Sequence, residues 1–386
     1  MPSTSGSILQ LCRVLADTPA MRAQTIGELS SAADRAALIA LAGAERVLPA
    51  LYEALRPFPD SLSKSERVEL ALAHEANRRK NLLIRDAVIE IAGEADRHSM
   101  EVVALKGARW IIEDTGGLAA WRSMLDIDLL VRVENHSAMR GILEHLGYRS
   151  TRRERNFLGQ SRFAGHYHLV ALRRGNQPFS TEMHRHIGWQ PDLLPTELIF
   201  AASRAVAPGL RLPCPWHAAL HAIIHLQIHH YGYQLGFHRV ADGLDISKFL
   251  GRDDVDWAAA TAHAARVGIE REFAAAIATV TELFGAPAPP GFRASESTRN
   301  FFAKALLPRE SRLAAWQAKQ HQRIIRLWHD HRFLYRANLR EAGPVATRIG
   351  LWALRVRRLP FLISHLASIT LLQAAISFRQ AFQRRR

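Results

Sequence analysis

Asp126 and Asp128 stand two residues apart at the head of the apolar run Asp126-Ile-Asp-Leu-Leu-Val131. On a β-strand, residues two apart share a face and lie about 6.6 Å apart, at about 3.3 Å per residue. The pair therefore presents two carboxylates side by side, with Ile127 and Leu129 turned the other way into a core. Like charges on one face disfavour each other's ionised form, and a cation between them removes that cost. Mg²⁺ suits such a pair because it takes hard oxygen ligands, through one or two carboxylates plus substrate phosphates. Two such ions about 3.5–4 Å apart stabilise both the attacking and the leaving oxygen in phosphoryl chemistry. Solubility charges on an edge strand are the plainer explanation of an Asp-x-Asp pair, and the apolar Leu129-Leu-Val131 argues against it.

The flanking residues supply the rest of such a site. Lys106-Gly107 ends the preceding apolar strand, and a glycine lets backbone approach a phosphate closely. A helix starting near Ala108 would turn free N–H groups toward an anion. Arg122, four residues before Asp126, is placed to neutralise triphosphate charge. Glu182, in Thr-Glu-Met-His, lies on a later strand that brings a third carboxylate toward the pair, either to complete a metal shell or to act as a base. Lys106 and Arg122 would stabilise developing phosphate charge.

Other polar clusters are weaker. His221, His225 and His229 are four apart and would share one helix face. No His-Glu-x-x-His pattern or cysteine accompanies them, so they are expected to form a polar, partly buried face rather than a metal site. His166, His168, His184 and His186 fall on adjacent expected strands and either line a cleft beside Glu182 or fill a half-buried face.

The elements that must position these residues follow from patterning. The chain has 386 residues, 48% hydrophobic and 23% charged, enough to bury a large core. Residues 1–97 read as a helical region. Ala37 to Leu55 is one segment, and Ser63-Lys-Ser-Glu66 forms a capping box that opens a helix running to Arg97. Residues 98–190 change character: strands at Glu101–Leu105, Asp126–Val131 and Tyr148–Arg152, a helix closed by Gly147, and a hairpin of His166–Leu172 with Ser180–His186. From Pro195 the chain reads as helical, with 191–290 a helical domain and 291–386 a set of basic helices. The expected class is α+β, a small mixed β-sheet core inside a mostly helical chain.

Charge and cysteines bound the setting. The formal net charge is +15, which attracts polyanions without choosing among them. Two distant cysteines, Cys12 and Cys214, support no disulfide framework, and the N-terminus lacks a basic segment followed by a long apolar one, so a cytoplasmic protein is expected. Leu359 to Phe378 is too polar for a membrane span, but flanking arginines suit an amphipathic helix at an anionic inner-membrane surface or a partner.

The run Leu105-Lys106-Gly107, then Arg122, Asp126-Ile-Asp-Leu-Leu-Val131, Leu146-Gly147-Tyr148 and Glu182-Met183-His184 resembles the bacterial "uncharacterised nucleotidyltransferase" family of the polymerase-β-like superfamily. The stretch His225 to His229 followed by Asp242 resembles the family's helical part. The resemblance spans roughly residues 65 to 270. It implies a mixed sheet flanked by helices, with Asp126, Asp128 and Glu182 binding two Mg²⁺ ions and a nucleoside triphosphate, ATP included. Lys106, Gly107 and Arg122 would contact the nucleotide. A nucleoside monophosphate would then pass to a small-molecule, peptide or protein acceptor, with nucleic acid a lesser prospect. Many superfamily members carry Gly-Ser or Gly-Gly where this chain has Lys-Gly. The alternative is a catalytically weak nucleotide-binding adaptor or sensor that docks on a membrane surface or a protein through its basic helices.

Overall fold

In the computed structural model, the described residues are 4–295 and Thr298, apart from positions 17, 30, 115, 118, 152–166, 189, 231 and 236–238. The chain divides into two compact units, Met1–Arg312 and Leu313–Arg386. The second unit, with the basic C-terminal helices expected there, lies outside the described residues.

Five helices open the chain: α1 (Thr4–Val14), α2 (Pro19–Glu28), α3 (Ala32–Ala44), α4 (Leu48–Leu55) and α5 (Lys64–Arg97). The single segment expected over Ala37 to Leu55 is two helices. Arg46 takes a left-handed φ of 61°, which an α-helix does not accommodate, and α4 restarts with Pro49 in its first turn, where a missing N–H is no loss. The α5 capping box forms as expected: Ser63 Oγ accepts from Glu66 N, and Glu66 accepts from Ser63 N at 2.7 Å. Ile84, Val88, Ile91, Ala92 and Ala95 of α5 are buried in the core. Each fully buried Ile or Val side chain contributes about 1.5–3 kcal/mol.

The middle of the unit holds β1 (Val102–Ala104), α6 (Lys106–Glu113), β2 (Asp126–Leu130), α7 (His136–His145), β3 (Tyr148–Ser150), β4 (Leu172–Arg174), β5 (Ser180–His184), α8 (Thr196–Ala202), β6 (Arg204–Ala207) and β7 (Leu210–Leu212). The strands form one mixed sheet in the order β3-β4-β5-β2-β1-β7-β6. The β2/β5 and β1/β7 pairs are parallel, and the others are antiparallel. Gly147 follows α7 with φ 87°, the left-handed cap its position suggested. The chain is then helical through α9 (Pro215–Ile224), a π-helical turn His225–His229, α10 (Gly232–Leu235), α11 (Val240–Leu250), α12 (Trp257–Val267) and α13 (Glu270–Phe284). All of these helices fall within residues 191–290, the stretch expected to be a helical domain.

Two expectations fail for physical reasons. The chain from Pro195 onward is not purely helical, because β6 and β7 extend the sheet. These strands are only four and three residues long: the alternation of β7, Leu-Arg-Leu, is too brief to announce a strand, and Arg204 and Ala205 of β6 are exposed. In the expected hairpin, His166 lies outside the described residues and His168 makes only an isolated bridge to His184. The strand that pairs is Leu172–Arg174, which reaches into the stretch read as a loop.

The β6–β7 turn depends on Gly209. Its φ is 65°, and a Cβ there would lie 2.2 Å from the Ala92 carbonyl oxygen of α5. Gly175, in the β4–β5 turn, has φ 51° but nothing within 4 Å of a Cβ. Gly209→Ala should therefore cost about 2–4 kcal/mol in denaturant unfolding, from backbone strain plus the clash, and Gly175→Ala about 1–2 kcal/mol, from strain alone. Equal losses would show that the approach to α5 does not govern this turn.

Candidate active site

The parallel pairing of β2 with β5 sets Asp126 beside Ser180, Asp128 beside Glu182 and Leu130 beside His184. Paired residues on neighbouring strands share a face, so Asp126, Asp128, Glu182 and His184 all present to one side. Asp128 is 3% exposed. Its Oδ1 accepts from Lys106 Nζ at 2.9 Å and from His184 Nε2 at 2.7 Å. Glu182 Oε2 lies 3.8 Å from His168 Nε2 and 3.9 Å from His184 Nε2. Ligand atoms of Asp128, Glu182 and His184 come within 4.8 Å of one another, the spacing of a cation site, and Asp126 lies outside that group.

Lys106 reaches Asp128 because of an unusual backbone. It opens α6 with φ 45°, a left-handed value that costs a non-glycine residue about 1–2 kcal/mol. The preceding Leu105 N–H donates to the Asp128 carbonyl at 3.0 Å, which ties the end of β1 to β2. Gly107 has a packing reason to be glycine: a Cβ would sit 1.8 Å from Met124 Sδ. The space over its Cα is thus filled by Met124 rather than left open to a phosphate.

Charge in the cluster is strongly coupled. Burial and the neighbouring Asp128 raise the Asp126 carboxyl, against the pull of Lys106. Burial would raise Asp128 too, but Lys106 and His184 outweigh it and hold that carboxyl well below the usual range. Burial would lower the Lys106 ammonium, and Asp128 and Asp126 reverse this and raise it.

Lys106 also lines a narrow cleft, with about 30 Å³ of internal space, together with Arg109, Arg122, His221, His225, Asp242 and Asp245. Arg122 is not in direct contact with the β2/β5 carboxylates. Its Nη2 pairs with Asp245 Oδ2 of α11 at 2.7 Å, and its charge helps lower Asp126 from the cleft side. The loop carrying Arg122 is held by two buried asparagines one turn apart on α5. Asn77 Nδ2 donates to the Ala120 and Arg122 carbonyls, and Asn81 Nδ2 to those of Ala119 and Arg122, at 2.8–3.1 Å. Burial pushes Asp245 up to about 6; Arg122 opposes this and Asp242 adds to it. Burial beside Lys106 depresses His221 to about 3 and His225 well below its ordinary value, so both imidazoles are neutral near pH 7.

The sequence-predicted residues thus fall into two groups. Lys106, Asp126, Asp128 and Glu182 meet on the sheet, and Arg122 stands across the cleft on Asp245. His221, His225 and His229 follow one another ring to ring on a partly buried face, with centroids 6.3 and 5.3 Å apart, and the π-helical turn brings His230 beside them as well. Asp245, Asn77 and Asn81 were missed. Asp242 and Asp245, three apart on a helix otherwise buried along its length, were the signal available for the first.

Residues 31–285, well over half of the chain, match the model of a family described as uncharacterised nucleotidyltransferase. No curated protein and no solved structure matches the chain. The chain belongs to that family. No helix among the described residues is long and apolar enough to cross a membrane.

Asp245 supplies a pH test. Its folded value of about 6 exceeds the ordinary 3.8, so between these values the folded state keeps a proton that the unfolded chain releases. Its contribution to stability is therefore most favourable below about pH 4 and falls as pH rises through 6. Asp245→Asn removes this dependence and adds a constant cost for the unpaired Arg122. The stability of the variant relative to the parent should rise by about 3 kcal/mol from pH 4 to pH 7, read by chemical denaturation. A difference that does not change with pH would show that Asp245 is not held neutral by burial.

Proposed function

We propose that this member of the nucleotidyltransferase family moves a nucleoside monophosphate from a magnesium-bound nucleoside triphosphate to an acceptor hydroxyl or phosphate, by two-metal in-line attack. The observation that carries this reading is the β2/β5 register, which sets Asp128 against Glu182 with Asp126 on the same face and Lys106 bonded to Asp128.

The donor set fits magnesium. Asp126, Asp128 and Glu182 offer hard carboxylate oxygens. Asp126 is pushed toward its neutral form by burial and by Asp128, a cost that a dication beside the pair would remove. When bound there, magnesium supplies positive charge for the attacking and leaving oxygens.

The chain's own residues have separate tasks. Glu182 is half-buried beside Asp128, and it accepts the acceptor's proton as the acceptor oxygen bonds to the α-phosphorus. The bond from that phosphorus to the bridging oxygen breaks, and pyrophosphate leaves. Lys106 neutralises Asp128 in the free chain, and in the complex it turns its ammonium to a phosphate oxygen. Arg122, oriented by Asp245 and the asparagine-held loop, adds charge from across the cleft. The His221 and His225 imidazoles in the cleft wall are themselves neutral near pH 7. The acceptor is of small-molecule, peptide or protein class.

Pyrophosphate release from labelled triphosphates, with cell extract as the source of acceptor, tests the reaction. Asp126→Asn and Asp128→Asn should each lower it by about 100-fold or more. The double variant should also lose magnesium-dependent triphosphate binding. Unchanged binding in the double variant would sink the carboxylate assignment.

A further inference from the structure

The helix that ends α9 does not continue as an α-helix. Through His225–His229 it is a π-helix, and the His230 N–H donates to the His225 carbonyl at 2.9 Å, five residues back. Such turns are rare and concentrate at functional sites. The wider turn has a direct consequence here. In an α-helix, His225 would sit over His229; with five residues between bonded groups, His230 also returns beneath it. The His225 and His230 rings lie 4.2 Å apart between centroids.

Across from them stands Asp242, in the first turn of α11. It is 8% exposed, and its Oδ2 is buried with no hydrogen-bond donor. Such an atom retains the cost of desolvation unless a cation reaches it. Ligand atoms of His225, His230 and Asp242 lie within 4.8 Å of one another. One cation already approaches: Arg239 Nη1 lies 3.4 Å from His230 Nε2 and 3.7 Å from Asp242 Oδ2, longer than a good charged hydrogen bond. The Arg239 side chain is 35% exposed and is free to leave toward solvent.

We propose that His225, His230 and Asp242 bind one transition-metal dication of the zinc class, at a site separate from the β2/β5 carboxylates. Two imidazole nitrogens and one carboxylate are a donor set for Zn²⁺ or Co²⁺, whereas Mg²⁺ takes oxygen donors. Three protein ligands leave the fourth position of a tetrahedron for water. The ion takes the place of the Arg239 guanidinium and links the π-turn to α11. Because α11 also carries Asp245, the partner of Arg122, the ion ties the π-turn to the helix that orients Arg122. This assignment does not depend on nucleotidyl transfer.

The test uses the full chain, stripped of metal with a chelator and titrated with Co²⁺ in the absence of nucleotide. Ligand-field absorption and calorimetry give geometry and stoichiometry. One equivalent should bind with a four-coordinate spectrum and be displaced by Zn²⁺ but not by Mg²⁺. Asp242→Asn and His230→Gln should each weaken binding by at least tenfold. Arg239→Ala, which removes the competing cation without touching the ligands, should tighten it. Asp128→Asn and Glu182→Gln should leave it unchanged. No bound Co²⁺ in the parent chain would overturn the proposal. So would binding indifferent to His230→Gln, or binding lost in Asp128→Asn, since the latter places the ion in the Asp128–Glu182–His184 group instead. The Arg239→Ala gain guards against unfolded ligand variants, because loss of structure does not tighten a site.

Discussion

A buried carboxylate with two donors on one oxygen organises this molecule. Asp128 sits in the centre of the sheet, on a strand flanked by β1 and β5, where an unpaired charge would be prohibitive. Lys106 and His184 both reach its Oδ1, one from the end of β1 and one from β5. The two bonds do different work. His184 is fully buried and fixes β5 against β2 in the register that also delivers Glu182. Lys106 reaches Asp128 through a long side chain from a helix terminus. The left-handed φ at Lys106 is the local cost of placing an ammonium, rather than a backbone N–H, at that turn. Strain of this kind persists only where surrounding contacts over-determine it, and here the Leu105 to Asp128 backbone bond and the Met124 side chain over Gly107 do so.

A second layer of positioning lies behind the cleft. Arg122 comes from a loop, and a loop arginine has many rotamers to lose. The chain removes that freedom from both ends. Asn77 and Asn81, one turn apart on α5, hold the loop backbone, and Asp245 on α11 holds the guanidinium. Asp114 adds to the same loop by accepting from the Gly117 and Ala119 N–H groups. The long α5 helix therefore serves the site as well as the core: its apolar stripe packs on the sheet, and two polar positions on it orient a cleft residue 41 to 45 positions away.

Legibility in the sequence tracked how local each determinant was. The α5 capping box, the left-handed glycine after α7 and the helices α12 and α13 are short-range patterns, and they appear where the sequence places them. The Asp126/Asp128 pair and Glu182 read as functional because carboxylates interrupt apolar strands. Their pairing across β2 and β5 was an inference from order along the chain that the parallel register makes concrete. What the sequence concealed depends on partners far away. Strands β6 and β7 carry too little apolar alternation to be seen without β1 beside them. Arg122 reads as a phosphate ligand, but nothing near it in sequence reveals that Asp245, over a hundred residues later, holds its guanidinium. Gly107 looks like a phosphate turn until Met124 is seen to fill its missing Cβ. The π-turn is hidden for another reason: a five-residue hydrogen bond leaves no compositional trace, so an i, i+4 histidine series was the only visible pattern.

The distribution of charge explains why a nearly neutral resting site suits a strongly anionic ligand. Lys106 is committed to Asp128, Arg122 to Asp245 and Arg109 to Glu113, so none of the three cleft cations stands as a free charge. On the proposed function, a triphosphate binds by exchange of partners, not by simple attraction. If it arrived alone and drew Lys106 away, Asp128 would keep only His184 and would lose the ion pair that now offsets its desolvation. If dications arrived alone at Asp126 and Asp128, Lys106 would be left facing them. In the proposed reaction, arrival of cation and phosphate together would resolve both conflicts: the carboxylates would take the dications, and the ammonium a phosphate oxygen. Asp245 keeps Arg122 in either state, which separates a residue that changes partner during binding from one that stays in place. On the proposed assignment the arrangement would favour the metal–nucleotide complex over either component, a selectivity built from ion pairs within the chain rather than from surplus charge.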